Sequence, residues 1–487
     1  MFSGNGIHAI AEVLVIAVLA RLLTPENFGV VTAGLVIIKF SSIFSTLGIS
    51  PAIVQRPKLE TRHIRTGFTL SCFFSILLAG LFIFMAPSIA GFFKMQKLIP
   101  VLCVLSVVFP IQGVSLVAES LLQREIKFSW IAGINALSYT LGYGIIGITL
   151  ASAHFGMWAL VAGHVSQMAF KCLSLLIVQP HPKLPLLERR AVKELMFFGG
   201  GLTLARLANT TAGQGSNFIV GRWLGAEALG LYGRAFQLMV MPAQLIGMAL
   251  DKVIFPAMAK VQHQQDRLQT AYRRGLSLTA LVVLPTSAAM FVLSPEIIEF
   301  LFGPAWLEAV IPFKILSVGM LFRTSYKLSD SLARATGAVY RRAWRQGLYA
   351  GCMLGGAWIG QFWGLNGVAC GVLGAVTVNF ILMAHLSMKL VSMTWRVFLA
   401  AHLPAVQLTI LVWVGISYLA LVLRDLAMPL IIVLFTPIIS IGLLVFLFLY
   451  LAPHLILGKD NIPVLQSLFD FIPTRYYSPK IIKFKNK

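Results

Sequence analysis

The sequence has 487 residues, of which 58% are hydrophobic and only 11% are charged, with a mean hydropathy of +0.85. Water-soluble domains carry roughly 25% charged residues, so this composition excludes a soluble globular protein. Long continuous apolar runs exclude a transmembrane β-barrel, whose strands give short alternating segments. The formal charge of +22 suggests a nucleic-acid partner, but the basic residues concentrate in short loops between apolar runs, where orientation signals of membrane proteins lie.

The apolar segments predict an all-α polytopic membrane protein with about 14 transmembrane helices, since about 20 apolar residues span a bilayer. The N-terminus shows no cleavable signal pattern, because its first apolar segment continues directly into a second one. The segments lie at 7–23, 28–50, 67–93, 99–122, 130–153, 157–178, 196–221, 228–250, 275–302, 309–333, 346–363, 365–388, 397–423 and 426–450.

Charge differs sharply between the two alternating sets of connections. Nearly all loop Lys and Arg residues lie in one set and in the C-terminal tail, while the other set holds only Arg21, Lys94, Lys97, Arg222 and Arg424. By the positive-inside rule, this bias predicts that both termini are cytoplasmic. Arg424 lies in a short outer loop, so we expect its replacement by alanine to be nearly silent.

The five cysteines lie inside apolar segments without metal-ligand spacing, so we expect no disulfide framework and no metal site. We also find no motif for a cofactor.

An internal repeat links the two halves of the chain. The matched residues keep their order at an offset that drifts from 201 to 211: Arg21/Arg222, Leu23/Leu224, Glu26/Glu227, Gly29/Gly230, Pro87/Pro295, Phe92/Phe300, Leu105–Val107/Leu316–Val318 and Glu119/Asp330. Parallel repeats are a known transporter design, with the substrate path between the halves. We therefore predict six-helix lobes at 1–195 and 196–396, two additional helices at 397–450 and a basic cytoplasmic tail at 451–487.

Several motifs in both repeats resemble the polysaccharide transporter branch of the MOP flippase superfamily, the Wzx-like oligosaccharide flippases. They are ARLLTPENFGVV (20–31), AIVQR (52–56), LLQREIKF (121–128), IVGRWLGAEALGLYGRA (219–235), Pro285 and SPEIIEFLFGPAW (294–306). The resemblance implies a V shape of two lobes, like the MATE transporters, in the bacterial inner membrane. It also implies an undecaprenyl-diphosphate-linked oligosaccharide as substrate and a polysaccharide polymerase as a partner.

Two departures from that family pattern leave points open. The chain ahead of the first segment is very short, which leaves an upstream start open. The position around Ser216 and Asn217 lacks the acidic residue of many relatives, which leaves coupling to H+ or Na+ open.

Ionisable residues inside apolar segments mark a pathway by default, because each costs at least about 2.5–3.5 kcal/mol to insert. Helical spacing gathers Arg206 and Asn209 on one face, Arg323 and Lys327 on another, and Lys39 and Arg234 on two more helices. We predict that these residues bind an anionic head group: Arg206, Arg323, Lys39, Arg234, Lys327 and Asn209. The alternative is that each polar group is satisfied by a neighbouring helix and has a structural role. Lys171 and Lys314 lie near segment ends and are expected to reach the membrane surface.

Acidic residues inside the apolar segments are few. Glu12, one turn from His8, is the candidate for proton or cation coupling, with a hydrated surface position as the alternative. Glu119 and Asp330 are repeat partners near inner helix ends, where they form either an inner gate or structural pairs with loop arginines. For Asp330, an ion pair with Lys327 is a further alternative.

Other functions stay open beside the flippase. A lipid II flippase would share a cationic cavity. A MATE-type multidrug exporter would line its cavity with acids, which the charge distribution disfavours. A membrane glycosyltransferase, polymerase or ligase would need a large outer loop or a clustered acid and base, and neither is visible in the sequence. We therefore predict a transporter rather than an enzyme.

Overall fold

The computed structural model describes residues 2–46, 48–197 and 199–451, and every regular element in these ranges is helical. The first ten α-helices precede residue 198: α1 (Phe2–Leu22), α2 (Pro25–Thr46), α3 (Ile49–Gln55), α4 (Thr61–Phe93), α5 (Leu98–Leu105), α6 (Val108–Arg124), α7 (Phe128–Tyr139), α8 (Ile148–Ser152), α9 (Met157–Val178) and α10 (Arg189–Phe197). A π-helical segment, Thr140–Gly147, joins α7 to α8.

The remaining helices follow residue 198: α11 (Gly199–Trp223), α12 (Gly225–Lys260), α13 (Gln265–Val292), α14 (Ser294–Phe302), α15 (Val310–Val318), α16 (Met320–Ala335), α17 (Val339–Gly360), α18 (Gly364–Leu390), α19 (Trp395–Ala400), α20 (Leu403–Asp425) and α21 (Leu430–Leu451). Short 3-10 segments at Pro304–Ala309 and Gln361–Trp363 precede α15 and α18. The tail predicted at 451–487 lies outside the described residues beyond Leu451.

Hydropathy identifies a multi-pass membrane protein. Within the described residues, nine helical stretches are long and apolar enough to cross a membrane, or ten if the bent pair Pro304–Val318 and Met320–Ala335 forms one span. The predicted number of about 14 transmembrane helices stays a prediction. Neither α11 nor α12 is among these stretches, because polar residues such as Arg206, Gln214 and Arg234 interrupt their apolar sequence.

The fourth predicted helix of each repeat is broken at the matched position. The first break is at Ser106–Val107, between α5 and α6. The second is at Gly319, between α15 and α16, and there the helix axis bends by 42°. These breaks immediately follow or fall within the matched triplets Leu105–Val107 and Leu316–Val318.

Helices α2 and α12 cross at their N-terminal turns in direct backbone contact. A Cβ atom on Gly29 would lie 1.7 Å from the carbonyl oxygen of Ala226, and one on Gly230 would lie 1.9 Å from that of Pro25. Glycine is therefore required at both positions, since any side chain would force the helices apart. The contact is reciprocal, because Pro25 and Ala226 share the repeat offset of Gly29 and Gly230.

A second pair of contacts surrounds this crossing. The guanidinium of Arg21 donates to the carbonyl oxygen of Phe300, and the guanidinium of Arg222 lies 4.9 Å from the ring centre of Phe92. Arg21 and Arg222 are repeat partners, as are Phe300 and Phe92. We call this part of the molecule, formed by residues 20–30, 92–97, 219–230 and 300–306, the crossing end. The opposite part, which includes residues 49–65 and 184–195, is called the open end.

At the open end, ion pairs and hydrogen bonds hold the segment 184–195 against α3 and α4. Arg62 pairs with Glu188 at 2.8 Å, and Arg56 pairs with Glu194 at 2.6 Å. The buried imidazole of His63 accepts the backbone N–H of Glu60 at Nδ1, so its protonated Nε2 donates to Glu194 at 3.1 Å. Helix α10 therefore packs against α3 and α4 before the chain enters α11.

Candidate functional site

Helices α1, α2, α11 and α12 supply most of the lining of a polar interior between the crossing end and the open end. Two cavities lie there, of about 330 Å³ and about 440 Å³. Lys39 and Gln214 line both cavities. The two cavities therefore adjoin, and we call them together the central cavity.

The deeper part of the central cavity, nearer the crossing end, holds a carboxylate and a guanidinium. The carboxylate of Glu12, on α1, accepts a hydrogen bond from Nε2 of Gln237 at 2.9 Å. The guanidinium of Arg234 lies 5.0 Å from the ring centre of Phe28, and its Nε is buried without a hydrogen-bond partner among the described residues. Glu12 and Arg234 thus both face the space that a solute would occupy.

Two tyrosines form an aromatic wall on the same part of the cavity. The rings of Tyr139 and Tyr143 lie 5.3 Å apart, and both side chains line the cavity. Tyr143 belongs to the π-helical segment, where the extra residue per turn changes the direction in which side chains point. A backbone irregularity in α7–α8 therefore sets the position of this wall.

The part of the cavity nearer the open end is lined by one face of α11 and by α2. Arg206, Asn209, Thr210 and Gly213 follow helical spacing along α11 and face Lys39 of α2 across the cavity. The side chains of Lys39 and Asn209 are exposed although both residues lie within helices. The predicted stripe on α11 therefore lines the cavity that α2 completes.

Cations outnumber carboxylates in the lining of the central cavity. Measured along their helices from the crossing end, Arg234, Lys39 and Arg206 lie at depths of roughly 14, 21 and 26 Å, at 1.5 Å per residue. Glu12 is the one carboxylate among the residues that line these two cavities. In a water-poor interior such an arrangement favours an anionic group strongly.

Arg323 and Lys327 lie outside this lining. The guanidinium carbon of Arg323 lies 5.1 Å from the ring centre of Phe236, which lines the deeper cavity, and Arg323 donates to the hydroxyl of Tyr349 at 3.4 Å. The aliphatic chain of Lys327 lies against Gly247 of α12. Both cations of α16 are therefore packed behind α12, and their direct contact with a head group stays a prediction.

The other two acids that the sequence singles out, Glu119 and Asp330, lie in ion pairs. Glu119 pairs with Lys171 of α9 at 3.0 Å. Asp330 pairs with Arg334 at 3.2 Å and with Arg342. Asp330 thus pairs with two arginines and Glu119 with a lysine inside a predicted span, while the gate and structural roles of both acids stay predictions. His8 precedes Glu12 by one turn in the sequence, and its side chain is outside the described side chains.

Sequence reasoning did not single out Gln214, Tyr139 or Tyr143. Gln214 lies eight residues after Arg206 and is the one α11 side chain that lines both cavities, so helical spacing alone could have included it. Tyr139 and Tyr143 are spaced one turn apart, but an aromatic pair at that spacing is as typical of a lipid-facing surface as of a cavity wall. The π-helical segment that turns Tyr143 inward has no sequence signal.

The fold of this chain is shared with a solved membrane protein. The structure is similar to that of a lipid II flippase, MurJ, in an inward closed conformation, with a TM-score of 0.76 and 15% sequence identity, covering 92% of this chain and 97% of that chain. At this identity the likeness concerns the fold alone.

A family model described as "Polysaccharide biosynthesis protein" matches residues 18–311, and the chain belongs to this family. The teichuronic acid biosynthesis protein TuaB of Bacillus subtilis (strain 168) is 26% identical over 304 residues, which cover 61% of this chain and 62% of TuaB. The lipopolysaccharide biosynthesis protein WzxC of Escherichia coli (strain K12) is 26% identical over 351 residues, 69% of this chain and 70% of WzxC. The match with TuaB thus spans less than two thirds of that relative. The resemblance to Wzx-like polysaccharide transporters is confirmed.

Proposed function

We propose that this protein is a flippase that moves an undecaprenyl-diphosphate-linked oligosaccharide from the inner to the outer leaflet of the bacterial cytoplasmic membrane. The observation that carries this proposal is the central cavity, which is lined by Lys39, Arg206 and Arg234 and closed at the crossing end by backbone contact. The family and the names of TuaB and WzxC support a role in polysaccharide synthesis. The role is transport rather than catalysis.

The proposed architecture has two six-helix lobes, 1–195 and 196–396, followed by two helices at 397–450. The reciprocal contacts Gly29–Ala226 and Gly230–Pro25 support it, because repeat partners meet across an axis that relates the lobes. The crossing end faces outward and both termini are cytoplasmic, since the basic connections lie at the open end. The cavity therefore opens toward the side on which lipid-linked sugars are made.

Lys39 and Arg206 hold the diphosphate in this proposal, with Asn209 as a hydrogen-bond donor. They line one cavity from opposite helices, so a doubly charged group between them meets a cation on each side. The planar guanidinium of Arg206 matches two phosphate oxygens, and charge-assisted contacts are stronger where water is scarce. Arg234 extends the positive lining toward the crossing end, while Arg323 and Lys327 add positive potential from behind α12.

The sugar then occupies the deeper part of the cavity. Tyr139 and Tyr143 offer aromatic faces, and Gln214, Asn217 and Gln237 offer amides for hydroxyl groups. The prenyl chain stays in lipid while the head group crosses. Rocking of the two lobes opens the crossing end and closes the open end.

The membrane potential favours this direction of transport. Each charge moved across 100 mV contributes about 2.3 kcal/mol, so about two negative charges gain roughly 4–5 kcal/mol on leaving a negative interior. Glu12 is the proposed coupling residue for H+ or Na+, because it is the carboxylate of the cavity lining and is hydrogen-bonded to a neutral amide. Glu119 and Asp330 act as structural partners of their cations.

A reconstituted assay tests the proposed function. Purified protein in liposomes should expose a polyprenyl-diphosphate-linked oligosaccharide on the opposite leaflet, where an impermeant glycosidase removes the sugar. Protein-free liposomes and liposomes with an unrelated membrane protein set the background. Release of sugar at the background rate would contradict the flippase proposal.

A further inference from the structure

The crossing end contains two junctions that the sequence repeat relates, and they differ in how they are filled. At the first junction, the end of α1 meets residues 300–306. Trp306 is fully buried there, donates from Nε1 to the carbonyl oxygen of Ala20 at 2.9 Å, and packs edge-on against Phe28 at 5.3 Å. A single large side chain thus fills the first junction.

The second junction is open. Between the end of α4 and the start of α12 lies a cavity of about 450 Å³, which we call the side cavity. It is lined by residues 93–97, by residues 222–226, and by Glu26 and Val30 of α2. No tryptophan stands at the second junction: the loop 93–97 carries Phe93 and Met95 together with two lysines and a glutamine, and these side chains leave the side cavity unfilled.

Most of the charged residues that line the side cavity are cations. Lys94, Lys97 and Arg222 line it together with one carboxylate, that of Glu26, which pairs with Lys97 at 2.8 Å. Lys94 is held at the end of α4 in a left-handed conformation with φ 55°. Positive charge therefore remains after the internal ion pair is formed.

Arg222 lines the side cavity, and its guanidinium packs against two aromatic rings. Its guanidinium carbon lies 4.9 Å from the ring centre of Phe92 and 5.5 Å from that of Trp223. Its Nε is buried without a hydrogen-bond partner among the described residues. A guanidinium stacked on aromatic faces presents its N–H groups in the plane of the fork, which suits the oxygens of a phosphate.

The surroundings of the side cavity are those of a membrane interface. Phe92 and Trp223 are 43% and 45% exposed, and aromatic residues of this kind concentrate at the level of lipid head groups. Helix α12 starts at the cavity, and its N-cap residue Leu224 makes no side-chain capping hydrogen bond, so the N-terminal end of the helix dipole adds to the positive potential.

We infer that the side cavity binds the phosphate of an anionic lipid head group. Arg222 supplies the planar fork, Lys94 and Lys97 supply point charges, and Phe92 and Trp223 contact the adjoining apolar part of the lipid. The proposed flippase activity is not required for this binding, so either idea can fail without the other.

Lipid retention measured by native mass spectrometry tests the inference. The full-length protein is incubated with phosphatidylglycerol or with zwitterionic phosphatidylcholine, and bound lipid is counted. Wild-type protein should retain phosphatidylglycerol preferentially. Lys94→Gln and Arg222→Gln should each weaken that retention about fivefold, the effect of one cation near an anionic head group.

Arg21→Gln is the matched control, because Arg21 is the repeat partner of Arg222 at the filled junction. It should leave retention unchanged. Gln96→Trp is a second test that keeps every charge: Gln96 is exposed and lines the side cavity, so an indole there should reduce retention by filling the space. This variant remains informative if the charge variants fail to fold.

Inorganic phosphate distinguishes the two sources of the same chemistry. If phosphate competes with phosphatidylglycerol in the wild type and not in Arg222→Gln, recognition of the phosphate is supported. Equal retention of the two lipids, an equal loss in Arg21→Gln, or binding of inorganic phosphate without any phosphatidylglycerol would each overturn the assignment.

Discussion

The crossing end and the central cavity are built from the same two helices in opposite ways. Near their N-termini, α2 and α12 meet through Gly29 and Gly230 with no space between the backbones. Farther along, the same helices carry Lys39 and Arg234, which line the central cavity. Close packing thus closes one end of the helix pair, while cations that line a cavity occupy the stretch behind it.

This division separates two kinds of effect. Changes at the crossing end should alter the equilibrium between conformations, while changes in the cavity should alter binding of the head group. A variant that affects both equally would argue against the division.

The largest expected effect is the loss of cavity cations. Lys39→Ala or Arg206→Ala should reduce surface polysaccharide about thirtyfold or more, because truncating one partner of a buried charge contact costs at least about 2 kcal/mol. Surface polysaccharide is measured together with the amount of protein in the membrane. Normal export, or a loss proportional to lost protein, would remove both residues from the head-group site.

Two comparisons sharpen that result. Lys389→Ala removes an exposed cation at the end of α18 and should leave export unchanged. Arg323→Ala should have a smaller effect than Arg206→Ala, because Phe236 separates Arg323 from the cavity. If Arg323→Ala is the more severe at equal abundance, the site extends behind α12.

At the crossing end, Gly29→Ala should favour conformations in which the crossing is open. The added methyl group collides with the backbone of Ala226, and overpacking of this kind costs about 1–3 kcal/mol. Labelling of Thr32→Cys, in the cavity lining just behind the crossing, by an impermeant maleimide added outside should accelerate about fivefold or more.

Gly91→Ala is the control for this experiment. Gly91 lies near the end of α4 at the same end of the molecule, and a Cβ there meets no atom within 4 Å. It should leave the labelling rate unchanged. Equal acceleration in both variants would show that the glycine crossing is not the closure.

Glu12→Gln should have an intermediate effect that depends on conditions. The change preserves the shape and the contact with Gln237 but removes the charge from the cavity lining. Flux without an ion gradient should persist, while its response to a pH or sodium gradient should be lost. If Glu12→Gln in reconstituted vesicles responds to the gradient as the wild type does, Glu12 is not the coupling residue.

The smallest expected effect concerns the ion pairs of Glu194 at the open end. A hydrogen bond from His63, together with Arg190 and Arg56, lowers the pKa of Glu194 below its ordinary value of 4.5. Ionised Glu194 therefore stabilises the folded state fully above that ordinary value, and the contribution is lost as pH falls through the lowered pKa.

The measurement is the thermal unfolding midpoint in detergent at neutral and acidic pH. Glu194→Gln should lower the midpoint slightly at neutral pH and reduce its fall on acidification. An unchanged midpoint at neutral pH would mean that these contacts do not stabilise the fold.

The features that were predictable from the sequence follow from local periodicity. Helical spacing alone gathered Arg206, Asn209 and Thr210 on one face of α11, and the structure has that face against a cavity. The repeat offsets also identified Gly29 and Gly230, although spacing could not reveal that each meets the other helix at Ala226 and Pro25.

The rest depends on contacts between distant segments. The position of Arg323 behind Phe236 is set by the packing of α16 on α12. The spacing of polar residues along α16 does not predict that packing. Arg424, expected to be dispensable in a short loop, donates at 2.7 and 2.9 Å to the carboxylate of Glu296, whose side chain is 8% exposed. Arg424→Ala would leave a buried charge unpaired, so it is a poor silent control.

Equilibrium binding of undecaprenyl diphosphate to the purified protein tests the central claim most directly. The account predicts tighter binding of the diphosphate than of the monophosphate, a loss of that preference in Lys39→Ala/Arg206→Ala, and wild-type behaviour of Lys389→Ala. Equal affinity of the wild type and the double variant for the diphosphate would contradict a cationic cavity that holds the head group.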